Sequence, residues 1–197
     1  MNLHLDMLRH GETTGGGGFR GRLDDELTAE GWQQMRRAVA ERAGWSRIIS
    51  SPLKRCARFA AELAERQDLE LEVEPAFREL DFGAWEGLTA AELMLDRSEQ
   101  LGRFWADPYG FTPPGGESLM AFETRVLTAL ERLADRWAGE RILLVTHAGV
   151  MRLLLAEARG LPRERLLQVE VGHASLFGLN VGFRDATLWL EETCLPF

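Results

Sequence analysis

The 197-residue chain is poor in lysine, tyrosine and cysteine, and it lacks any long apolar run. Lys54 is its single lysine and Tyr109 its single tyrosine. The two cysteines, Cys56 and Cys194, do not make a disulfide framework, and neither has a partner at metal-ligand spacing. No stretch approaches the roughly 20 apolar residues that cross a bilayer. The amino-terminal segment lacks a basic region followed by a long apolar stretch, so no secretory signal is read there. A reducing, cytoplasmic setting is expected. Acidic residues outnumber Lys and Arg by 31 to 23, for a formal net charge of -8, which disfavours a general nucleic-acid or anionic-membrane surface. That balance still allows a local positive pocket, for which Arg9, Arg20, Arg22 and Arg55 are the candidates.

What is present is ordinary globular usage, 45% hydrophobic and 27% charged, with length enough for a sizeable core. No linker or repeat divides the chain, so a single domain over 1–197 is expected. Gly15 to Gly18 is the one low-complexity stretch, read as a mobile or anion-cradling loop.

The pattern alternates strands and helices. Leu3 to Leu8 reads as a short strand. Thr28 can cap a helix with Trp32, Met35 and Val39 on one face. Ile48 and Ile49 form a short buried strand, and Ser51-Pro52 then supply an N-cap and a first-turn proline. Leu53, Cys56, Ala60 and Leu63 make the stripe of the helix that follows. Leu71 to Val73 is a possible strand, and Thr89 to Glu92 fits a capping box. Ser118 opens a long helix that stops at Gly139. Arg141 to Thr146 is the apolar run of a strand buried on both faces, followed by a helix to Gly160. Ser175 to Val181 and Thr187 to Leu190 are late strands joined by a turn at Phe183 to Asp185. This order predicts an α/β fold, a three-layer sandwich with a mostly parallel central sheet flanked by helices.

Two of the strands end in the same way. The first stops at Arg9-His10-Gly11-Glu12, and the buried run ends in Thr146-His147-Ala148-Gly149. Each delivers an imidazole at the carboxyl end of a strand, which is the edge where open α/β sheets bind ligands. A histidine is largely unprotonated near neutral pH and can act as a nucleophile, while arginine offers a planar fork for phosphate oxygens. Either histidine alone is more often a satisfied structural residue. The repeated context selects the pair, and the residues suggest phosphoryl transfer through a histidine.

Five motifs carry a resemblance: RHGE at 9–12, SPLKRC at 51–56, FRELDFGAWEG at 77–87, PPGGES at 113–118 and VTHAG at 145–149. In order and approximate spacing the chain resembles the histidine phosphatase superfamily, also called phosphoglycerate mutase-like, from Leu3 to about Val181. The resemblance implies that His10 becomes phosphorylated and that His147 donates to a phosphoryl oxygen. It implies that Arg9 and Arg55 hold the phosphate. Glu79 matches the family's acid, placed to protonate the leaving oxygen and then to activate water; Asp81 ranks second, with Glu86 a further alternative. Glu12 is given an orienting role, and Arg58 is placed outside the pocket. Gly11, Thr13, Arg20, Gly21 and Ala148 are expected beside the substrate, and His173, standing where asparagine is common, either reaches the pocket or packs. No metal-ligand constellation is seen; neither metal nor cofactor is expected.

The resemblance leaves three readings: a phosphomonoesterase, a phosphoglycerate mutase, and a non-catalytic binder of phosphorylated ligands. The short chain and the TTGGGGFRGRLDDELT segment depart from the mutase pattern, which favours the first. That segment with PPGGES resembles α-ribazole phosphatases, which implies α-ribazole 5′-phosphate or cobalamin 5′-phosphate as substrate, with a broad small-molecule phosphatase as the alternative. Phe19, Arg20, Arg22 and the PPGGES loop are expected to contact the nucleoside. The expected partner is a small phosphomonoester, with no nucleic acid and no membrane. The oligomeric state stays open, a homodimer included.

Overall fold

In the computed structural model, which describes residues 1–194, strand β1 (Leu3–Arg9) lies near the middle of a six-stranded sheet. Residues 195–197, part of the single-domain expectation, lie outside the described residues. The remaining strands are β2 (Arg47–Ser50), β3 (Glu70–Val73), β4 (Arg141–Thr146), β5 (Leu176–Arg184) and β6 (Thr187–Thr193), in the spatial order β3-β2-β4-β1-β5-β6. The first four are mutually parallel; β5 runs antiparallel to β1, and β6 antiparallel to β5. The helices are α1 (Ala29–Val39), α2 (Lys54–Gln67), α3 (Ala90–Asp96), α4 (Ser98–Ala106), α5 (Leu119–Arg136) and α6 (Ala148–Ala158). Among the described residues no helix is long and apolar enough to cross a membrane.

Alternation along the central strands builds two cores. Leu143 and Val145 of β4 point to α1 and α2, where Met35, Val39, Phe59 and Leu63 are buried. Ile142 and Leu144 point the other way, to Phe122, Val126 and Leu130 of α5 and to the buried face of α6. Both faces are therefore covered, as a parallel sheet requires. Each fully buried Leu or Ile contributes roughly 2 kcal/mol by removal from water, so the central strands anchor the three layers. Asp6 is the exception within β1. It is buried, and its carboxylate accepts from Trp45 Nε1 at 2.7 Å and Arg141 Nη2 at 2.8 Å.

Several boundaries move from those expected, among them that of β5, which runs on to Arg184. Helix α2 begins at Lys54 with Leu53 as its N-cap and no side-chain cap bond, because Ser51 is drawn elsewhere, as described below. Strand β6 runs to Thr193, and the hairpin turns at Asp185 and Ala186, with φ of 49° and 60°. Two consecutive positive φ values give the turn whose twist matches the flanking strands. Thr28 accepts from Gly31 N and Thr89 makes a full capping box, as their positions predicted.

Candidate active site

The register of β1 and β4 sets the geometry of the site. Arg9 pairs with Thr146, so the next residue of each strand, His10 and His147, leaves the sheet at the same edge. Their ring centroids are 5.3 Å apart at 61°. His173, from the segment before β5, stands on the other side, with its centroid 5.9 Å from that of His10.

His10 has its tautomer decided by the backbone. Its Nδ1 lies 2.8 Å from Gly11 O. A carbonyl only accepts, so Nδ1 carries the proton and Nε2 presents a lone pair. Burial, followed by the nearby Arg55 charge, pushes the His10 pKa well below its ordinary 6.5. The ring is therefore neutral at neutral pH, with an available nucleophilic nitrogen. One expectation follows. Protonation removes that lone pair, so the acid limb of the pH profile of kcat/KM should lie well below pH 6.5. A limb at or above 6.5, measured on p-nitrophenyl phosphate, would contradict a neutral His10.

His147 and Arg55 sit in a layer beneath, both with no exposed surface. Arg55 Nε donates to His147 Nδ1 at 3.2 Å. The imidazole Nε2 then carries the proton and meets Ser51 Oγ at 2.6 Å. This is why Ser51 does not cap α2. The other Arg55 nitrogens donate to Leu23 O at 2.5 Å, Arg20 O at 3.2 Å and Gly21 O at 3.0 Å. Arg55 and His147, the expected phosphate contacts, are brought together beside His10. Neither lines the cavity, and their polar atoms hold the loop 20–23 and one another. Cys56 Sγ lies 3.7 Å from His147 Nε2, and burial pushes that thiol up to about 12, so it stays protonated.

Glu79 is buried at the cavity wall. Its Oε2 accepts from Gly149 N and its Oε1 from Leu80 N, both at 2.9 Å. Gly149 is small for a reason: a Cβ there would stand 2.1 Å from Glu79 Oε1. The two rival acids are engaged elsewhere. Asp81 accepts from Gly83 N at 2.8 Å and faces Arg22 at 3.8 Å. Glu86 accepts from the backbone of Gly21, Arg22, Leu23 and Phe82, which clamps the loop after the glycine run. Neither lines the cavity.

The cavity holds about 660 Å³, ample for a small ester. Arg9, His10, Thr13, Arg20, Glu79 and Ala148 line it, as do Glu12 and Gly16 to Gly18. Glu12 Oε2 also accepts from Thr28 Oγ1 at 2.7 Å, which ties the mouth to the cap of α1. Arg20 turns inward on its own loop, bonded to Asp25 at 2.7 Å and to Gly15 O. Gly11 and Gly21 do not line it. A Cβ on Gly11 would lie 2.2 Å from Gly31 O, and one on Gly21 would lie 1.9 Å from Leu80 O, so both serve close backbone packing. Arg22 and Pro113 to Ser118 are also absent from the lining. That loop instead packs on 81–84, where Pro114 O accepts from Ala84 N at 2.8 Å. Arg58 pairs with Glu26 outside the pocket, as expected.

Sequence reasoning missed most of the far wall. Phe82, Phe104, Trp105, Phe122, Leu166 and Leu167 line it, with Phe19 packed on Phe82 at 5.0 Å. They come from separate segments, and no local pattern unites them. Arg152 was missed as well, although it lies four residues after Ala148 on the same helix face, a signal that was readable. Among the described residues, no three His, Cys, Asp or Glu side chains are grouped to hold a metal ion.

Comparison with known proteins adds an independent line. The profile of the histidine phosphatase superfamily (branch 1) matches residues 5–189. A bifunctional protein of Mycobacterium tuberculosis is 35% identical over 177 residues, 87% of this chain and 48% of its own length. The chain thus spans about half the length of that relative. The adenosylcobalamin/alpha-ribazole phosphatase of Escherichia coli is 28% identical, with 94% of each chain covered. Among solved structures, mycobacterial glucosyl-3-phosphoglycerate phosphatase in complex with inorganic phosphate superposes with a TM-score of 0.83 at 29% identity, covering 97% of this chain and 95% of that one.

Proposed function

The chain belongs to the histidine phosphatase superfamily, and from that premise we propose that it is a phosphomonoesterase that works through a phosphohistidine at His10 and takes α-ribazole 5′-phosphate or cobalamin 5′-phosphate. The observation that carries the reading is the cavity, where a neutral histidine with a free Nε2 stands beside Arg9 and faces an aromatic wall.

In the first step His10 Nε2 attacks phosphorus and the P–O bond to the leaving group breaks. Arg9 balances charge on the phosphoryl oxygens. Glu79, as the acid, gives its proton to the leaving oxygen. In the second step the Glu79 carboxylate takes a proton from water. The water oxygen bonds to phosphorus, the P–N bond breaks, and inorganic phosphate leaves with His10 neutral again. Ser51, Arg55 and His147 hold the floor beneath the nucleophile, and the Arg55 charge helps keep His10 unprotonated.

The wall supports the finer assignment. Benzimidazole is flat and largely apolar, and its burial against Phe19, Phe82 and Trp105 would contribute affinity through area and ring contacts. Phosphoserine, glucosyl-3-phosphoglycerate and 3-phosphoglycerate bring charged or strongly hydrated groups, which cost free energy against such a wall. The purified protein is expected to hydrolyse α-ribazole 5′-phosphate with a kcat/KM at least about tenfold above those three, a difference of ~1.4 kcal/mol in transition-state binding. It should not interconvert 2- and 3-phosphoglycerate. A flat profile across the panel would leave a broad phosphatase and remove the ribazole assignment.

A further inference from the structure

His10 has a second imidazole neighbour. His173 lines the cavity, with its ring 5.9 Å from that of His10 and tilted by 44°. Its nitrogens have no hydrogen-bond partner among the described residues. The charged and titratable groups around it are Arg9, His10 and Glu12. Burial, followed by the Arg9 charge, lowers the His173 pKa below its ordinary 6.5, and Glu12 opposes them. At neutral pH the ring is therefore uncharged, with one N–H to give and one lone pair.

The turn that carries His173 is tied to the nucleophile's own strand. Arg9 N donates to Ser175 O at 3.0 Å, Ala174 N to His10 O at 3.2 Å, and Arg9 Nη1 to Val171 O at 2.7 Å. Ser175 N donates to Gly172 O at 3.2 Å and closes the turn. Within it Ala174 takes a φ of 52°, a left-handed conformation that costs an alanine energy. The Ala174 side chain packs on the core that includes Leu8 and Val145, which holds the residue there. Such strain persists only where the surroundings over-determine it, and it gathers at functional sites. The side chain that this turn aims is His173.

We propose that His173 is a further catalytic residue, which donates its ring N–H to an oxygen of the phosphoryl group as that group passes to and from His10. This rests on the reading of His10 as phosphoryl acceptor. The placement favours the transferred group over the leaving group. The ring that His173 meets is that of His10, whereas Phe19, Phe82 and Phe104 cluster with one another. An imidazole fixed at the cavity with an unused N–H also needs no rearrangement to meet the anion.

Calorimetric titration with inorganic phosphate tests the proposal without turnover. His173→Phe keeps a ring but loses the donor, and should weaken phosphate binding by about tenfold, the effect of one hydrogen bond to a charged group. It should lower kcat/KM by a similar factor on p-nitrophenyl phosphate and on phosphoserine, because both pass the same group to His10. His173→Asn and His173→Gln each place an amide N–H near one of the two ring nitrogens, and one of them should recover much of both losses. The chain has four histidines, so the imidazole resonances are few. The one absent from the Phe variant should show an N–H protected from exchange when phosphate saturates the wild type. Melting curves identify any variant that fails to fold, and the wild-type spectrum then carries the decision. An unchanged phosphate affinity in His173→Phe would overturn the proposal. So would equal losses in all three variants, a loss confined to one ester, or a His173 N–H that still exchanges freely with phosphate present. Phosphate protection of that N–H in a protein without hydrolytic activity would sink the His10 reading and leave His173 as a phosphate ligand.

Discussion

Replacing His10 by alanine is expected to lower hydrolysis of p-nitrophenyl phosphate by a factor on the order of 10⁴ or more, since loss of a covalent nucleophile removes the whole two-step route. The cavity should persist. His10 makes one backbone bond, to Gly11 O, and the sheet edge is held by the β1–β4 pairing beneath it. Losing that bond and the ring contacts should cost only about 1–2 kcal/mol of stability. Rapid quenching in base after mixing with labelled substrate should trap phosphoenzyme in the wild type and none in the variant. Substantial turnover by a folded His10→Ala protein would remove the phosphohistidine mechanism.

Glu79→Gln carries the next largest effect, and its size should depend on the leaving group. An alkoxide is a poor leaving group, so alkyl phosphates should slow by about 10²- to 10⁴-fold. The p-nitrophenolate ion leaves with little help and should lose much less. Geometry supports the choice of residue. Glu79 lines the cavity, whereas Asp81 and Glu86 hold backbone amides outside it. Glutamine keeps the shape but presents an amide nitrogen to either Leu80 N–H or Gly149 N–H, the two donors that now hold the carboxylate. A modest fall in melting temperature is therefore also expected. Equal losses on alkyl and nitrophenyl esters would take the acid role away from Glu79.

Much of the fold was legible from local pattern. The apolar run 141–146, the Thr28 and Thr89 caps and the two strand-terminal histidines are each signalled within a few residues. What local pattern leaves out has a shared cause. Ser51 reads as a helix cap, yet its hydroxyl meets an imidazole 96 residues away. Arg55 reads as a phosphate clamp from its own motif, while the three loop carbonyls and the imidazole that orient it lie far along the chain. Gly11 and Gly21 read as residues beside the substrate, while the backbones that pass within reach of a Cβ come from other segments. In each case the nearest polar partner or steric neighbour came from a distant segment, and local spacing holds no record of it.

By itself the sequence determined the layered α/β architecture and the placing of His10 and His147 at strand ends, because strand alternation and helix periodicity are properties of consecutive residues; their meeting needed the β1–β4 pairing. The resemblance carried by five short motifs added the phosphoryl chemistry. Tertiary structure alone decided what faces the cavity. It assembled the apolar wall from residues as far apart as Phe19 and Leu167, and fixed the His10 tautomer on Gly11 O. Those outcomes depend on which groups come within about 3 Å of each other, and chain packing between distant segments sets that distance.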